Sequence, residues 1–349
     1  MASIRKMKNG KFQATVYVGR DLNGKQLRKY ITADTEKECK SKARKMESEI
    51  DEGTFVSIEN KKVGKYLDEW LELNKNSIAP STYMLYKGYI RAHYKPAFGD
   101  IKMSQLNELH IQKFKNDKLS ELAANTVRKL LFVLRKALQD GMKNKNPARD
   151  VEVPPKEKTR FRLLTDEEFN IIHEEAKKDI VDECIILTAG WGGLRRGEIF
   201  ALKPEDLFLK NNIVRIDEAR SISEDGYIDK DPKSENGFRD VAIPKYLSNL
   251  YGKYLKQIGE IPERLFNMRP DHYTHRFKDL INRTSLKGED IVFNDLRHYQ
   301  ASMLYKNNIP DQYSAERLGH DIITMKKIYQ HLDKSIKVEN DKKVIEMFK

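Results

Sequence analysis

Apolar side chains recur at Val63, Tyr66, Leu67, Trp70 and Leu71, at the three- and four-residue intervals of one helix face. The same period returns from about Ala123 to Met142, where Val127, Leu130, Leu131, Leu134 and Leu138 point inward. Arg128, Lys129, Arg135 and Lys136 fall on the other faces. A helix from Pro80-Ser81-Thr82 to about Tyr94 and another from about Glu108 to Leu119 complete a helical region over residues 60–150. Ahead of it the period shortens to two. Phe12, Ala14, Val16 and Val18 share a face, the turn Asp21-Leu22-Asn23-Gly24-Lys25 follows, and a second run extends from Leu27 to Ile31. Thr35 and Glu38 have the pattern of a capping box for a helix to about Ile50, and Asp51-Glu52-Gly53-Thr54 reads as an exit linker. Residues 1–55 are therefore expected to form a three-stranded sheet with one helix.

Val151-Glu152-Val153-Pro154-Pro155-Lys156 interrupts the helical pattern and reads as an extended linker. A third region, 160–349, opens with a capping box at Thr165-Asp166-Glu167-Glu168. A buried helix from Val181 to about Thr188 leads into Trp191-Gly192-Gly193-Leu194-Arg195. Short strands are predicted around Ile213–Ile216, Tyr227–Ile228 and Arg239–Ile243, with helices filling the remainder. The expected fold is multidomain and mainly α: a small α+β module, a helical domain, and a mainly helical domain carrying a small antiparallel sheet.

Charge sharpens this division. The 349 residues carry a formal charge of +12, and residues 1–155 hold 31 lysines and arginines against 19 acids. That excess equals the whole net charge, so the first part reads as the region that grips a polyanion, with nucleic acid the favoured partner. Lys6, Lys8, Lys11, Arg28 and Lys29 decorate the predicted sheet, and Lys87 and Arg91 lie along the second helix. A two-stranded ribbon fits a major groove, although a solvated sheet face has the same composition. The two cysteines, Cys39 and Cys184, are far apart and suit a reducing cytoplasm rather than a disulfide framework. No His/Cys cluster has metal-site spacing, and no apolar run approaches the roughly 20 residues of a membrane span. The expectation is a cytoplasmic protein with no cofactor and no membrane contact.

The last quarter carries the chemistry. Arg297, in Asp295-Leu296-Arg297-His298, offers a planar fork for two oxygens of one phosphodiester. His320, in Leu318-Gly319-His320, can donate a hydrogen bond to that group or move a proton. Tyr329, nine positions later, has a phenol able to attack phosphorus once it is placed and deprotonated. Tyr299, Tyr305 and Tyr313 lie in the same region, where core packing accounts for them. Upstream, Arg195 within Gly193-Leu194-Arg195-Arg196-Gly197-Glu198 is a second candidate for neutralising phosphate, and Glu198 one turn later is placed to orient it.

These spaced pieces resemble the tyrosine recombinases of the phage integrase family, in order and over essentially the whole chain. The resemblance implies an arm-type DNA-binding domain at 1–55, a core-binding domain at 60–150 and a catalytic domain at 160–349. It also implies a homo-tetramer on double-stranded DNA at core-type and arm-type attachment sites, in a bacterial host, with accessory bending or directionality proteins as further partners. Lys233, in the predicted hairpin turn Asp231-Pro232-Lys233-Ser234, matches the family's general acid, with Lys230 as its neighbour and rival. One position departs from the family pattern. Three residues before Arg297, where a histidine is usual, stands Asn294, which can hydrogen-bond a phosphate but cannot carry a proton at neutral pH. The rival readings are a type IB topoisomerase-like relaxase and a catalytically weakened DNA-binding regulator.

Overall fold

A computed structural model describes residues 3–7, 9–20, 26–51, 61–157, 162–231, 237–319 and 344–347. By its internal contacts the chain divides into two units, Met1–Lys158 and Thr159–Lys349.

In the first unit the alternating residues form strands β1 (Ser3–Lys6), β2 (Phe12–Arg20) and β3 (Gln26–Ala33), paired antiparallel in chain order. Ala14 and Val16 are buried under helix α1 (Glu36–Asp51), which contributes Cys39 and Ala43 to a small core. The Thr35 hydroxyl accepts from the Glu38 amide at 3.2 Å and fixes the start of this helix. The predicted turn 21–25 and the exit linker at 52–54 lie outside the described residues.

The helical region comprises α2 (Val63–Leu73), α3 (Pro80–Tyr89), α4 (Lys95–Phe98), α5 (Glu108–Glu121) and α6 (Ala124–Met142). The predicted stripes of α2 and α6 are buried against one another, and Tyr66 donates from its hydroxyl to the Ala137 carbonyl at 2.5 Å. One expectation changes. The helix predicted to run unbroken to Tyr94 leaves α geometry after Tyr89, passes through a π turn at Ile90–Tyr94, and resumes as α4. Pro96 explains the change: it has no N–H to return to Ala92, and the wider turn relieves its ring from that carbonyl. Ile90, Tyr94 and Phe98 still share a buried face.

Arg128 and Arg135, on the other faces of α6, bind backbone carbonyls. Arg128 donates to the Pro154 carbonyl, and Arg135 donates to the carbonyls of Ala148 (3.0 Å) and Val151 (2.8 Å). Both hold down the segment that follows α6.

The second unit is built on α7 (Asp166–Ala176) and α8 (Ile180–Gly190). The predicted box caps α7, with Glu168 N to Thr165 Oγ1 at 3.1 Å and Thr165 N to Glu168 Oε2 at 2.9 Å. After the one-turn helix α9 (Arg196–Ile199), strands β4 (Leu207–Phe208), β5 (Ile213–Ile216) and β8 (Arg239–Ala242) make one antiparallel sheet. Strands β6 (Ala219–Ser223) and β7 (Gly226–Lys230) make a separate hairpin. Helices α10 (Lys245–Ile258), α11 (Pro270–Asn282), α12 (Asn294–Lys306) and α13 (Asp311–Leu318) follow. One core joins α7, α8, α10, α11 and α12 to the sheet through residues such as Phe169, Ile185, Val214, Tyr251, Phe277 and Leu296. No helix among the described residues is long and apolar enough to cross a membrane.

Candidate active site

Helix α8 is buried along most of its length and delivers the chain into a turn at Gly193, whose φ of +72° suits glycine. Arg195 then caps α9, and Glu198 folds back so that its Oε2 accepts the Arg195 backbone N–H at 2.8 Å. The carboxylate is 2% exposed and sits at the centre of a guanidinium cluster. Arg195 donates from Nη1 to Glu198 Oε1 at 2.6 Å. Arg239, from the first position of β8, forks onto both oxygens at 3.2 and 2.8 Å. Arg297, on the first turns of α12, comes within 4.0 Å.

The same three arginines take three successive carbonyls at the end of α13. Arg239 Nε donates to Arg317 O at 2.8 Å, Arg297 to Leu318 O, and Arg195 to Gly319 O. A second bond from Arg297 reaches the Gly193 carbonyl. Carbonyls at a helix C-terminus lack partners within the helix and lie at its negative end, which makes them fitting acceptors for cations. Gly319 has φ of +60° and turns the chain out of α13 directly before His320.

Burial raises the proton affinity of Glu198, but hydrogen bonds from Arg239 and the charges of Arg239, Arg297 and Arg195 outweigh it, leaving the pKa at about 2. Burial and the neighbouring Arg195 draw the Arg297 guanidinium below its ordinary value, with Glu198 opposing them. Arginine keeps its proton under such a pull, so the cluster carries three cations against one carboxylate. Arg297 and Arg239 are 3% and 6% exposed, whereas Arg195 is 39% exposed and presents the cluster outward.

Asn294 opens α12 on the exposed side. Its amide nitrogen lies 2.7 Å from Nε2 of His298, one turn along. Burial, followed by the charge of Arg297, lowers the His298 pKa to about 4, so the imidazole is neutral at pH 7. It therefore has one donor and one acceptor nitrogen, with Nε2 facing the Asn294 amide.

Of the residues singled out by sequence, Arg195, Glu198 and Arg297 come together in this cluster, with Asn294 on the same helix as Arg297. Lys233, His320 and Tyr329 lie outside the described residues, as does Lys8. Arg28 is exposed on the open face of the sheet. Lys29 pairs with Val16, on the face covered by α1, and Lys6 lies over the Phe12 ring at 5.7 Å. Lys11 is paired with Asp34 at 2.9 Å. Lys87 lies 5.7 Å from the Tyr83 ring centre, and Arg91 is exposed on the π turn. Sequence reasoning missed Arg239, which served only to mark the strand after the Lys233 turn. No group of three or more His, Cys, Asp or Glu among the described residues is arranged to hold a metal ion.

In this helical domain with a small sheet, two buried guanidiniums and the half-buried Arg195 gather around one carboxylate, a net positive charge suited to an anionic ligand. Residues 62–119 match the phage integrase N-terminal SAM-like domain and residues 162–335 the phage integrase family. The tyrosine recombinase XerC-like protein of Caldanaerobacter subterraneus is 27% identical, over 93% of this chain and 94% of its own. The ICEBs1 integrase of Bacillus subtilis is 24% identical, over 95% of each. Among solved structures, the Tn1549 transposon integrase in complex with transposon right-end DNA has a TM-score of 0.62 at 16% identity, covering 77% of this chain and 94% of that one. A lambda integrase dimer bound to a core site has 0.60 at 17% identity, covering 93% of each. The chain belongs to the phage integrase family and is a tyrosine-type site-specific recombinase.

Proposed function

We propose that the protein integrates, and also excises, a mobile element by cleaving and rejoining DNA through a 3′-phosphotyrosyl link. Tyr329 attacks the scissile phosphorus, Arg195 and Arg297 neutralise its nonbridging oxygens, and Glu198 holds the two arginines in register. His320 and Asn294 hydrogen-bond the phosphate, and Lys233 gives a proton to the leaving 5′ oxygen. The partner duplex's 5′ hydroxyl then attacks the phosphotyrosine and exchanges strands. The covalent link conserves the bond energy, so this chemistry calls for neither nucleotide nor metal.

The observation that carries this reading is the grip of Arg195, Arg239 and Arg297 on the three carbonyls ahead of His320. It ties both phosphate-binding arginines to the backbone that leads into the remaining catalytic residues.

Each of the three regions has its own role, with 1–55 binding arm-type sites, 60–150 clasping the core site and 160–349 carrying the chemistry. On the open face of the N-terminal sheet, Arg5, Gln13, Tyr17, Arg28 and Tyr30 share one side, and Arg5 donates to Gln13 at 2.8 and 3.1 Å. Tyr17 and Tyr30 are 50% and 59% exposed, a surface of aromatic and polar groups suited to a major groove. Exchange of strands between two duplexes calls for a homo-tetramer; a lambda integrase tetramer bound to a Holliday junction has the same fold.

Covalent trapping tests the reading. The chain is mixed with nicked duplexes carrying the element's attachment sequence, beside a Tyr329→Phe control. An adduct that survives denaturant and vanishes in the control is expected. Specific binding without an adduct would instead favour the regulator.

A further inference from the structure

Arg239 is heavily engaged by the described residues around it. Its guanidinium has five N–H donors and makes four hydrogen bonds: to both oxygens of Glu198, to Arg317 O, and to Gly237 O at 3.0 Å. With all three of its nitrogens engaged by protein acceptors, its role lies within the protein. Those bonds join three separate pieces of chain: Gly237 ahead of β8, α9 through Glu198, and the last turn of α13.

We infer that Arg239 is a positioning residue for strand cleavage, one that aims Arg195 and Arg297 without touching the DNA. The inference rests on the recombinase chemistry proposed above. Its physical basis is the sharing of Glu198. Arg239 binds both carboxylate oxygens, beside a single side-chain bond from Arg195 to Oε1 and Arg297 at 4.0 Å. Without Arg239, the buried carboxylate's charge falls to the other two arginines, and it draws them from the phosphate. Loss of the bond to Arg317 O also releases one of the three carbonyls held at the end of α13.

The test compares the parent chain with Arg239→Met and Arg239→Lys in single-turnover adduct formation on a nicked core-site duplex. Each is assayed on two substrates: a normal scissile phosphate, and a methylphosphonate in which a methyl group replaces one nonbridging oxygen and removes the negative charge. Arg239→Met should form adduct about 100-fold more slowly on the phosphate, the size of effect expected when a preorganised charge site is disturbed. Duplex binding should be unchanged. On the methylphosphonate, which makes less demand on the guanidiniums, the gap to the parent should narrow by about tenfold. Arg239→Lys, which keeps the charge but cannot bridge all three segments, should fall between, and it serves as the readout if Arg239→Met does not fold. Parental speed in these variants, or an equal defect on both substrates, overturns the assignment and leaves Arg239 a structural residue. A parent chain that forms no adduct on either substrate overturns the recombinase chemistry and this role with it.

Discussion

The amide nitrogen of Asn294 lies 2.7 Å from Nε2 of His298, so the asparagine that opens α12 is held by a histidine one turn behind it. Where the family usually places histidine, this chain has an amide hydrogen-bonded to an imidazole one turn along. The pair keeps hydrogen-bonding capacity at position 294 and gives up proton transfer there. A hydrogen bond to a charged group contributes about 1.5–3 kcal/mol. Asn294→Ala is therefore expected to slow adduct formation by roughly 10- to 100-fold, with duplex affinity little changed. His298→Ala should produce a smaller loss in the same assay. Parental cleavage rates in Asn294→Ala would remove the residue from the site.

Two pKa displacements at this site act in different pH windows. His298 falls from 6.5 to about 4, so between those values the unfolded chain binds the extra proton. Its contribution to stability is complete above pH 6.5 and is lost as pH falls toward 4. Glu198 falls from 4.5 to about 2, and its contribution is complete above pH 4.5 and lost as pH falls toward 2. Urea midpoints measured from pH 7 to pH 3 should show a steeper decline in the parent than in His298→Leu between pH 6.5 and 4. Glu198→Gln should be less stable at pH 7, by on the order of 3 kcal/mol, because it leaves buried guanidiniums without their counter-charge. Its stability should also change less than the parent's below pH 4.5.

Local signals carried most of the fold. The stripes at Val63–Leu71 and Val127–Leu138, the cap at Thr165 and the strand at Ile213–Ile216 depend on spacing alone, and the chain displays that spacing directly. The π turn depends on how the helix absorbs Pro96, and β6 presents Arg220, Ser221 and Ser223 with little apolar alternation. The candidate site was legible where its residues neighbour one another, as Arg195 and Glu198 do. Arg239 was not, because its partners stand 41 and 78 positions away and a long side chain gives no hint of which tertiary carbonyl it will reach. Arg128 and Arg135 read as a basic helix face for the same reason, yet they bind the segment that follows their helix.

The N-terminal sheet places its basic residues in different surroundings. Arg28 stands beside Tyr17 and Tyr30 on that face, whereas Lys11 is engaged by Asp34 at the strand's start. For an arm-site duplex, Tyr30→Ala should weaken binding, and Arg28→Ala should weaken it and lower the slope of log affinity against log salt by about 1. Lys11→Ala should change neither quantity appreciably. An Arg28→Ala slope equal to the parent's would place the duplex on another surface.

Gly197, inside the arginine motif, sets how closely the β6–β7 hairpin approaches α9. A Cβ at this position would lie 2.8 Å from the Arg220 carbonyl, a backbone atom that cannot swing aside. The hairpin is otherwise anchored: Arg220 forks onto Asp229 at 2.9 and 2.8 Å, and Arg264 bridges Asp229 and Glu218 at 2.8 and 2.7 Å. Gly197→Ala must therefore shift the strand pair, and β7 leads into the segment that carries Lys233. Misplacement of a catalytic group by about 1 Å costs roughly 100-fold, so adduct formation should fall toward that extent. A duplex with sulfur in place of the bridging 5′ oxygen separates the causes, because a thiolate, with a pKa of about 8.5, leaves without a donated proton. On that substrate Gly197→Ala should approach the parent's rate. A defect of equal size on both substrates would show that the alanine disturbs Arg195 and Glu198 within α9 rather than Lys233, the proposed proton donor.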